Sequence, residues 1–138
     1  MTLFESLEAL IPKGDCIHLA YVGEIQLTKD FLQSYVHKAG NEFYDLKRLP
    51  LRRWSFGGEF FKVMLIEDAT LLSQTSSLKI IKKALQKNRY LVLFGEYFSM
   101  KEIELALEPL GFSNFSQISY FDEGKEAFIF SAKKWFVL

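Results

Sequence analysis

The strands of this chain are expected to be unbroken apolar runs separated by helical stretches. The runs CIHLAYVG (16–23), FFKVMLI (60–66) and YLVLFG (90–95) lack the alternation of a strand that faces water on one side. A strand that is apolar on both faces must be covered on both faces, and parallel sheets with helices on either side provide that cover. The pattern predicts an α/β fold with an open, mostly parallel sheet between two layers of helices.

Signals for helix ends fall between these apolar runs. Thr2 and Glu5 form a capping-box pair ahead of a short helix, and Ser99 and Glu102 form a second pair ahead of another. Thr28 is expected to cap the helix that follows the first strand. Residues typical of helix exits come after the first, second and last helix, and they are Gly14, Gly40, Pro109 and Gly111.

The rest of the chain supplies one more helix, a short strand and a hairpin. SSLKIIKKALQKN (76–88) is amphipathic over its whole length and predicts a helix. EFYDL (42–46) has the composition of a short strand, and the turn DEGK (122–125) between two apolar segments predicts a closing antiparallel hairpin. We therefore expect a single domain over residues 1–138, with a sheet of about six strands.

Charge and composition narrow the classes of partner. Seventeen basic and seventeen acidic residues cancel, which argues against nucleic acid or an anionic membrane as a partner. No apolar run approaches the roughly 18–20 residues that span a bilayer, and MTLFESLEAL lacks the basic start of a signal peptide. The single cysteine, Cys16, cannot form an internal disulfide, and no Cys or His group has metal-ligand spacing. A cytoplasmic protein with no membrane segment and no metal is predicted.

The order of the elements resembles that of a known family. LEALIPKGDCIHLAYVGE (7–24) resembles an opening helix, a Pro-Lys-Gly-Asp turn and a first strand, and NEFYDLKRLPL (41–51) resembles a strand with an acidic end and a Leu-Pro turn. LKIIKKALQKNRYLVLFGE (78–96) and MKEIELALEPLGF (100–112) are similar to the later helices and strand, and EAFIFSAKK (126–134) to a reversed final strand. Over most of its length the chain looks like a class I S-adenosylmethionine-dependent methyltransferase.

The resemblance implies S-adenosylmethionine as the cofactor if the domain is active, and no cofactor otherwise. By this resemblance, Gly23 corresponds to the Gly-rich loop after a strand, and Glu24 to an acid that grips the ribose hydroxyls. Asp45 corresponds to an aspartate that contacts the adenine amino group. Glu67 follows the central strand, where the family often places substrate or catalytic groups. No catalytic residue and no methyl acceptor is assigned.

One strand-helix unit of the family is missing from the chain. Family members have two such units before the Asp-bearing strand, and this chain has room for one. CIHLAYVGE (16–24) matches either the first strand, which leaves Gly23 alone in place of a Gly-rich loop, or the second strand, which leaves no such loop. In both cases Tyr21 and Val22 carry side chains where backbone must approach the methionine part of the cofactor closely.

Each candidate residue also has a structural interpretation. Asp45 could cap its turn or pair with an arginine of LPLRRW (49–54), and Glu24 could interact with the dipole of the next helix. Glu67 and the adjacent Asp68 should point in opposite directions, which favours structural roles over a shared role as general base.

Three functions follow from these patterns. The favoured one is a methyltransferase-like domain whose S-adenosylmethionine site is degenerate and which acts through protein–protein contact. The first alternative is an active S-adenosylmethionine-dependent methyltransferase completed by a second subunit. The second is a nucleic-acid-binding module that uses the basic segment 47–53, with Trp54 for stacking. Acidic residues close in sequence to these cations argue against that module, and they are Glu42, Asp45 and Glu59.

A homo-oligomer or a complex with a protein partner is expected on two grounds. Loss of a strand-helix unit should uncover apolar surface beside the first strand and its helix. In addition, KKWFVL (133–138) ends in four apolar residues. Burial of Trp135, Phe136 and Leu138 would stabilise an interface.

Overall fold

The described part of the chain forms one sheet with helices on both sides. A computed structural model describes residues 2–11, 13–14, 17–39, 41–54, 58–95 and 98–134. The strands are β1 (His18–Val22), β2 (Glu42–Asp45), β3 (Phe61–Ile66), β4 (Leu85–Leu93), β5 (Phe112–Asp122) and β6 (Lys125–Lys134). The α-helices are α1 (Leu3–Leu10), α2 (Gln26–Ala39), α3 (Thr75–Ala84) and α4 (Met100–Leu107). Short 3-10 helices cover Leu46–Arg48, Leu51–Arg53, Ala69–Ser73 and Glu108–Leu110.

The strands lie in the order β2-β1-β3-β4-β6-β5. The first four are parallel, and β6 and β5 form an antiparallel hairpin at one edge. The order reverses between β1 and β3, so the loops after these strands meet at the switch point, where open α/β sheets bind their ligands. The predicted α/β class, mostly parallel sheet and closing hairpin are confirmed.

Two apolar cores lie on the two faces of the sheet. Helices α1 and α2 contribute to one core, and α3 and α4 to the other. Successive strand residues point to opposite faces, so in β1 Leu19 and Tyr21 enter the first core while Ala20 and Val22 enter the second. This burial on both faces explains why the strands are unbroken apolar runs in the sequence.

The helix ends follow the predicted capping pattern in two cases. The Thr2 hydroxyl accepts a hydrogen bond from the backbone N–H of Glu5 at 3.2 Å, and the Ser99 hydroxyl accepts one from Glu102 at 3.2 Å. Gly111 ends the α4 region with a φ of 94°. Among the described residues, no helix is both long enough and apolar enough to cross a bilayer.

Two helix boundaries differ from the prediction. Helix α2 begins at Gln26, so Thr28 lies buried in its first turn and is not the cap. Helix α3 ends at Ala84, because the chain from Leu85 onward already pairs with β3. Residues 86–88, which the sequence pattern assigned to the helix, lie in β4 where its register with β3 is interrupted. The predicted helix end at Gly40 lies outside the described residues.

The strand order identifies the missing unit. In the doubly wound order 3-2-1-4, the first strand lies beside the switch point. Strand β1 has that position, with β2 on its other side, so the absent unit is the outer one that would lie beyond β2. Strand β2 is therefore an edge. Among the described residues, the large apolar side chains exposed in the segments before and after β2, between β1 and β3, are Ile25, Leu27 and Leu51.

The Lys134 side chain closes the carboxyl end of α3. Its ammonium group donates hydrogen bonds to the carbonyl oxygens of Lys82 and Leu85, both at 2.6 Å, and lies 4.0 Å from the Glu59 carboxylate. The last carbonyls of a helix have no donor within the helix. Lys134 therefore links the end of β6 to α3.

Replacing Lys134 by methionine should lower the free energy of unfolding by about 1–3 kcal/mol, because carbonyl oxygens in the interior lose their donor. Methionine keeps most of the apolar stem, so the loss reports the ammonium group. Urea denaturation measures the change, with Lys79→Met on the exposed face of α3 as the control. If both variants unfold at the same urea concentration, the assigned role of Lys134 is wrong.

Candidate functional site

Three loops meet at the carboxyl edge of the sheet. Gly23 follows β1, Glu67 follows β3, and Gly95 comes two residues after the end of β4. The backbone N–H of Glu67 donates to the carbonyl oxygen of Val22 at 2.8 Å, which joins the first two loops. The Glu67 residue is only 6% exposed, so its carboxylate lies inside the protein at the switch point.

Tyr21 is a hydrogen-bond partner of this buried carboxylate. Its hydroxyl donates to Oε1 of Glu67 at 2.6 Å and accepts a hydrogen bond from the backbone N–H of Ile25 at 3.3 Å. Burial, together with the hydrogen bond and the charge of Glu67, raises the pKa of the Tyr21 phenol, although hydrogen bonds from Ile25 and Thr28 act in the opposite direction. We refer to these two side chains as the Tyr21–Glu67 pair.

The Tyr21–Glu67 pair fills the space beside two glycines. A Cβ atom on Gly23 would overlap the Tyr21 hydroxyl and would lie 2.6 Å from Cζ of that ring. A Cβ atom on Gly95 would overlap the Glu67 carboxylate and would lie 2.6 Å from its Cγ. Glycine is required at both positions because the chain's own side chains approach the backbone so closely.

Asp45 lies at the end of β2 and contacts two cations. Its Oδ2 is 3.0 Å from Nζ of Lys29 in α2 and 3.5 Å from Nε of Arg48. The pairing with Arg52 or Arg53 considered from the sequence is therefore wrong. The other carboxylate oxygen, Oδ1, is buried and has no hydrogen-bond partner among the described residues.

The remaining acids of this edge are separate from the Tyr21–Glu67 pair. Glu24 is exposed and precedes α2 by two residues. Asp68 lies 2.5 Å from Nζ of Lys47 and accepts a hydrogen bond from the backbone N–H of Thr70 at 3.0 Å. Burial raises the pKa of Asp68, but the hydrogen bonds from Lys47 and Thr70 outweigh it and lower the pKa overall. Glu67 and Asp68 contact different partners, as their adjacent positions predict.

The basic segment does not present its aromatic residue to solvent. Trp54 is 6% exposed, and its Nε1 donates to the carbonyl oxygen of Leu49 at 3.1 Å. Arg52 and Arg53 are exposed, whereas Lys47 is held by Asp68. The stacking surface expected at Trp54 is therefore absent from this segment.

The two histidines of the chain lie away from the switch point. His18 stacks on Phe60 with ring centroids 4.3 Å apart, and its Nε2 is 3.4 Å from the Glu42 carboxylate, at the amino end of β1. His37 is exposed on α2. Cys16 and residues 135–138 lie outside the described residues. Within the described ranges, no three His, Cys, Asp or Glu side chains are arranged for a metal ion.

A cavity lies where the β5–β6 hairpin extends past β4. Pairing of β4 with β6 ends at Leu93 and Phe130, whereas pairing of β5 with β6 continues to Asp122 and Lys125. The projecting hairpin and the loop after β4 enclose about 490 Å³. We call this cavity the hairpin pocket. It is lined by Gly95, Phe98, Ser99, Met100, Gln117, Tyr120, Asp122, Glu126, Ala127, Phe128 and Phe130.

Three residues of the site were not assigned a role from the sequence. For Tyr21 a signal existed in the sequence. It lies two residues before Gly23 along a strand, so its side chain is on the face of the sheet toward which a side chain at position 23 would point. Lys29 reaches Asp45 from a helix, and Gly95 contacts Glu67 across the sheet. No local pattern marks either contact.

Replacing Tyr21 by phenylalanine should lower the free energy of unfolding at pH 7 by about 1–3 kcal/mol, because the buried Glu67 carboxylate loses a donor. The pKa of Tyr21 is higher in the folded protein than its ordinary value of 10.0. Stabilisation by the phenol is therefore complete below about pH 10 and is lost as the pH rises through the folded pKa.

The difference in stability between wild type and Tyr21→Phe should accordingly stay constant up to about pH 10 and narrow between about pH 10 and about pH 12. Urea unfolding of both proteins across this range measures it. Tyr90→Phe serves as the control, since Tyr90 is an exposed tyrosine on β4. A constant difference over the whole range would contradict the assigned role of Tyr21.

Solved methyltransferase structures share this arrangement of strands and helices. An S-adenosylmethionine-dependent methyltransferase from Archaeoglobus fulgidus matches with a TM-score of 0.69 and 11% identity, over 96% of this chain and 93% of its own. The 1,6-didemethyltoxoflavin-N1-methyltransferase of Burkholderia thailandensis, solved with S-adenosylhomocysteine, matches with a TM-score of 0.63 and 13% identity, over 96% and 76%. No family model and no curated protein matches the sequence.

A third structure, phosphoethanolamine N-methyltransferase 2 of Haemonchus contortus, matches with a TM-score of 0.65 and 10% identity over 94% of this chain. The match covers 51% of that enzyme, so this chain spans about half of its length. At such low identities the likeness concerns the fold. The chain has the fold of the class I S-adenosylmethionine-dependent methyltransferases, shortened by one strand-helix unit.

Proposed function

We propose that this chain is a methyltransferase-like domain with a degenerate S-adenosylmethionine site, and that it acts through protein–protein contact. The degenerate site is inferred from the position of the Tyr21–Glu67 pair beside Gly23. The first strand lies beside the switch point, so Gly23 stands where the family resemblance expects the Gly-rich loop. The space over this glycine is taken by the chain itself.

The methionine end of the cofactor does not fit the residues present. A Gly-rich loop serves this end by letting ligand atoms approach the backbone closely. At Gly23 the Tyr21 hydroxyl and the Glu67 side chain occupy the open side of the glycine. The buried Glu67 carboxylate also places an acid next to the region that the carboxylate of the methionine part would enter.

The adenosine end keeps one residue that suits a ligand. In dinucleotide-binding folds an acid about 20 residues after the Gly-rich turn bonds the ribose hydroxyls. Asp45 ends the second strand at about this spacing from Gly23, so its position favours a ribose over the adenine contact expected from the sequence. Its buried Oδ1 has no partner among the described residues and could accept a hydroxyl, although Lys29 holds Oδ2. Half of a cofactor site is left.

The two alternative functions lack this support. A second subunit could add residues at the surface, but the obstacle at Gly23 consists of buried side chains that a partner cannot remove. A nucleic-acid-binding module would need the Trp54 ring at the surface, and that ring is buried.

S-adenosylmethionine at about 1 mM should raise the melting temperature of the protein by less than roughly 3 °C. A working micromolar site would contribute about 4 kcal/mol of apparent stability at that concentration, or a shift on the order of 10 °C. Differential scanning fluorimetry with S-adenosylmethionine and S-adenosylhomocysteine measures the shift. Asp45→Asn is the control, and a large shift in wild type that this variant abolishes would restore the active enzyme.

The surface best suited to protein contact is strand β5. It is one edge of the sheet, and residues Phe112 to Phe121 contain no charge and no proline. Edge strands usually carry charged residues or proline, because their unpaired N–H and C=O groups otherwise pair with another strand. Asn114, with a φ of 50°, disturbs only the start of β5, and residues 116–119 are exposed.

A second copy of β5 is the partner that we propose for this edge. In antiparallel pairing centred on Ser119, Ile118 lies opposite the partner's Tyr120, and Phe121 lies opposite the partner's Gln117. Ile118 is 40% exposed and Phe121 is 64% exposed, so both gain cross-strand neighbours. Asp122 lies opposite the partner's Ser116, so no like charges meet.

Wild-type protein at tens of micromolar, where weak dimers form, should scatter light as a dimer. Ser119→Lys should be monomeric, because it places two ammonium groups opposite each other at the two-fold axis. Ser34→Lys, at an exposed position on α2, should leave the dimer intact. Size-exclusion chromatography with light scattering compares the three proteins, and a monomeric wild type would contradict pairing through β5.

A further inference from the structure

We propose that the hairpin pocket binds an organic ammonium group between its wall of phenylalanine rings and the carboxylates of Asp122 and Glu126. The inference rests on the pocket alone. It holds whether or not the switch point binds S-adenosylmethionine.

The wall consists of three phenyl rings in contact. Phe98 and Phe130 have ring centroids 6.4 Å apart at an interplanar angle of 68°, and Phe128 lies 6.3 Å from Phe130. Phe98 and Phe130 are nearly buried, whereas Phe128 is 37% exposed. The face of an aromatic ring attracts a cation within about 6 Å of its centroid.

The charges that line the pocket are negative. Asp122 and Glu126 are exposed, and neither forms an ion pair with another described residue. Lys125 pairs with Asp122 in the strand register, yet no salt bridge joins them. Unpaired carboxylates beside aromatic faces favour a cationic ligand over a neutral or an anionic one.

A third carboxylate lies behind the pocket. Glu67 packs against Gly95, which lines the pocket. Tyr120 also lines the pocket, and burial raises the pKa of its phenol. The negative charges of Asp122 and Glu67 raise this pKa further. The negative field of the buried Glu67 therefore reaches the pocket floor.

The size and position of the pocket agree with a small ligand. A volume of about 490 Å³ lies within the roughly 300–1,000 Å³ of small-molecule sites. The pocket opens beyond the carboxyl end of β4, on the side of the sheet where α/β folds bind ligands. A trimethylammonium group or the end of a lysine side chain has the required charge and bulk.

The test is a titration of the ¹⁵N-labelled chain of residues 1–138 with choline and with 3,3-dimethylbutan-1-ol, the neutral carbon analogue of choline. Choline should shift the amide resonances of the pocket residues and bind about 5- to 10-fold more tightly than the neutral compound. Equal affinity for the two compounds, or shifts confined to other parts of the chain, would overturn the proposal. No cofactor is added, so the result is independent of the S-adenosylmethionine measurement.

Two variants and their matched controls locate the binding. Phe128→Ala and Asp122→Asn should each weaken choline binding about 5-fold or more. Tyr90→Ala, a comparably exposed aromatic on β4, and Glu123→Gln, an exposed acid in the hairpin turn, should leave it unchanged. Spectra of all four variants verify folding, and losses in the controls equal to those in the pocket variants would overturn the proposal.

A second titrant separates the two sources of such a ligand. Nα-acetyl-trimethyllysine methylamide presents the same cation at the end of a protein side chain. Tighter binding than choline supports a basic side chain of a protein partner, whereas weaker binding supports a free small amine. Absence of binding by both compounds refutes the pocket as a cation site.

Discussion

The hydrogen bond between Tyr21 and Glu67 determines how the carboxyl edge of the sheet is built. A carboxylate buried in a protein interior requires donors, because its desolvation is otherwise too costly. The Tyr21 hydroxyl supplies one at 2.6 Å. The two side chains need room beside the backbone of neighbouring loops, and Gly23 and Gly95 provide it. The loops after three parallel strands are thus shaped around one buried acid.

Much of the fold could be predicted because burial on both faces leaves a direct mark on the sequence. The run at 60–66 supplies β3 and the run at 90–95 supplies the second part of β4, since a strand of that length can bury apolar side chains on both faces of a sheet. The end of α3 could not be predicted, because Leu85 continues the helical apolar face of Leu78 and Ile81. Pairing with β3 decides the boundary, and pairing depends on residues more than twenty positions away.

The site could be predicted only in part, and for a related reason. Asp45 and Glu67 became candidates through the family resemblance, which depends on their positions after strands, a local feature. Their partners come from other elements: Lys29 from α2 and Tyr21 from β1. The sequence also did not decide whether CIHLAYVGE (16–24) corresponds to the first or to the second strand of the family. Strand order resolves it, since only the folded sheet shows which strand lies beside the switch point.

The two ends of the degenerate cofactor site that we propose differ in how far the chain satisfies its own polar groups. At the methionine end, Tyr21 donates to Glu67 and the space is filled, so this end is stable without a ligand. At the adenosine end, a buried oxygen of Asp45 has no partner among the described residues, and leaving it so has a cost in stability. A ligand that bound Asp45 alone would gain little, because Lys29 already compensates its charge. The exposed carboxylates of Asp122 and Glu126 lie instead beside the phenylalanine rings of the hairpin pocket, where we propose that a cationic ligand binds.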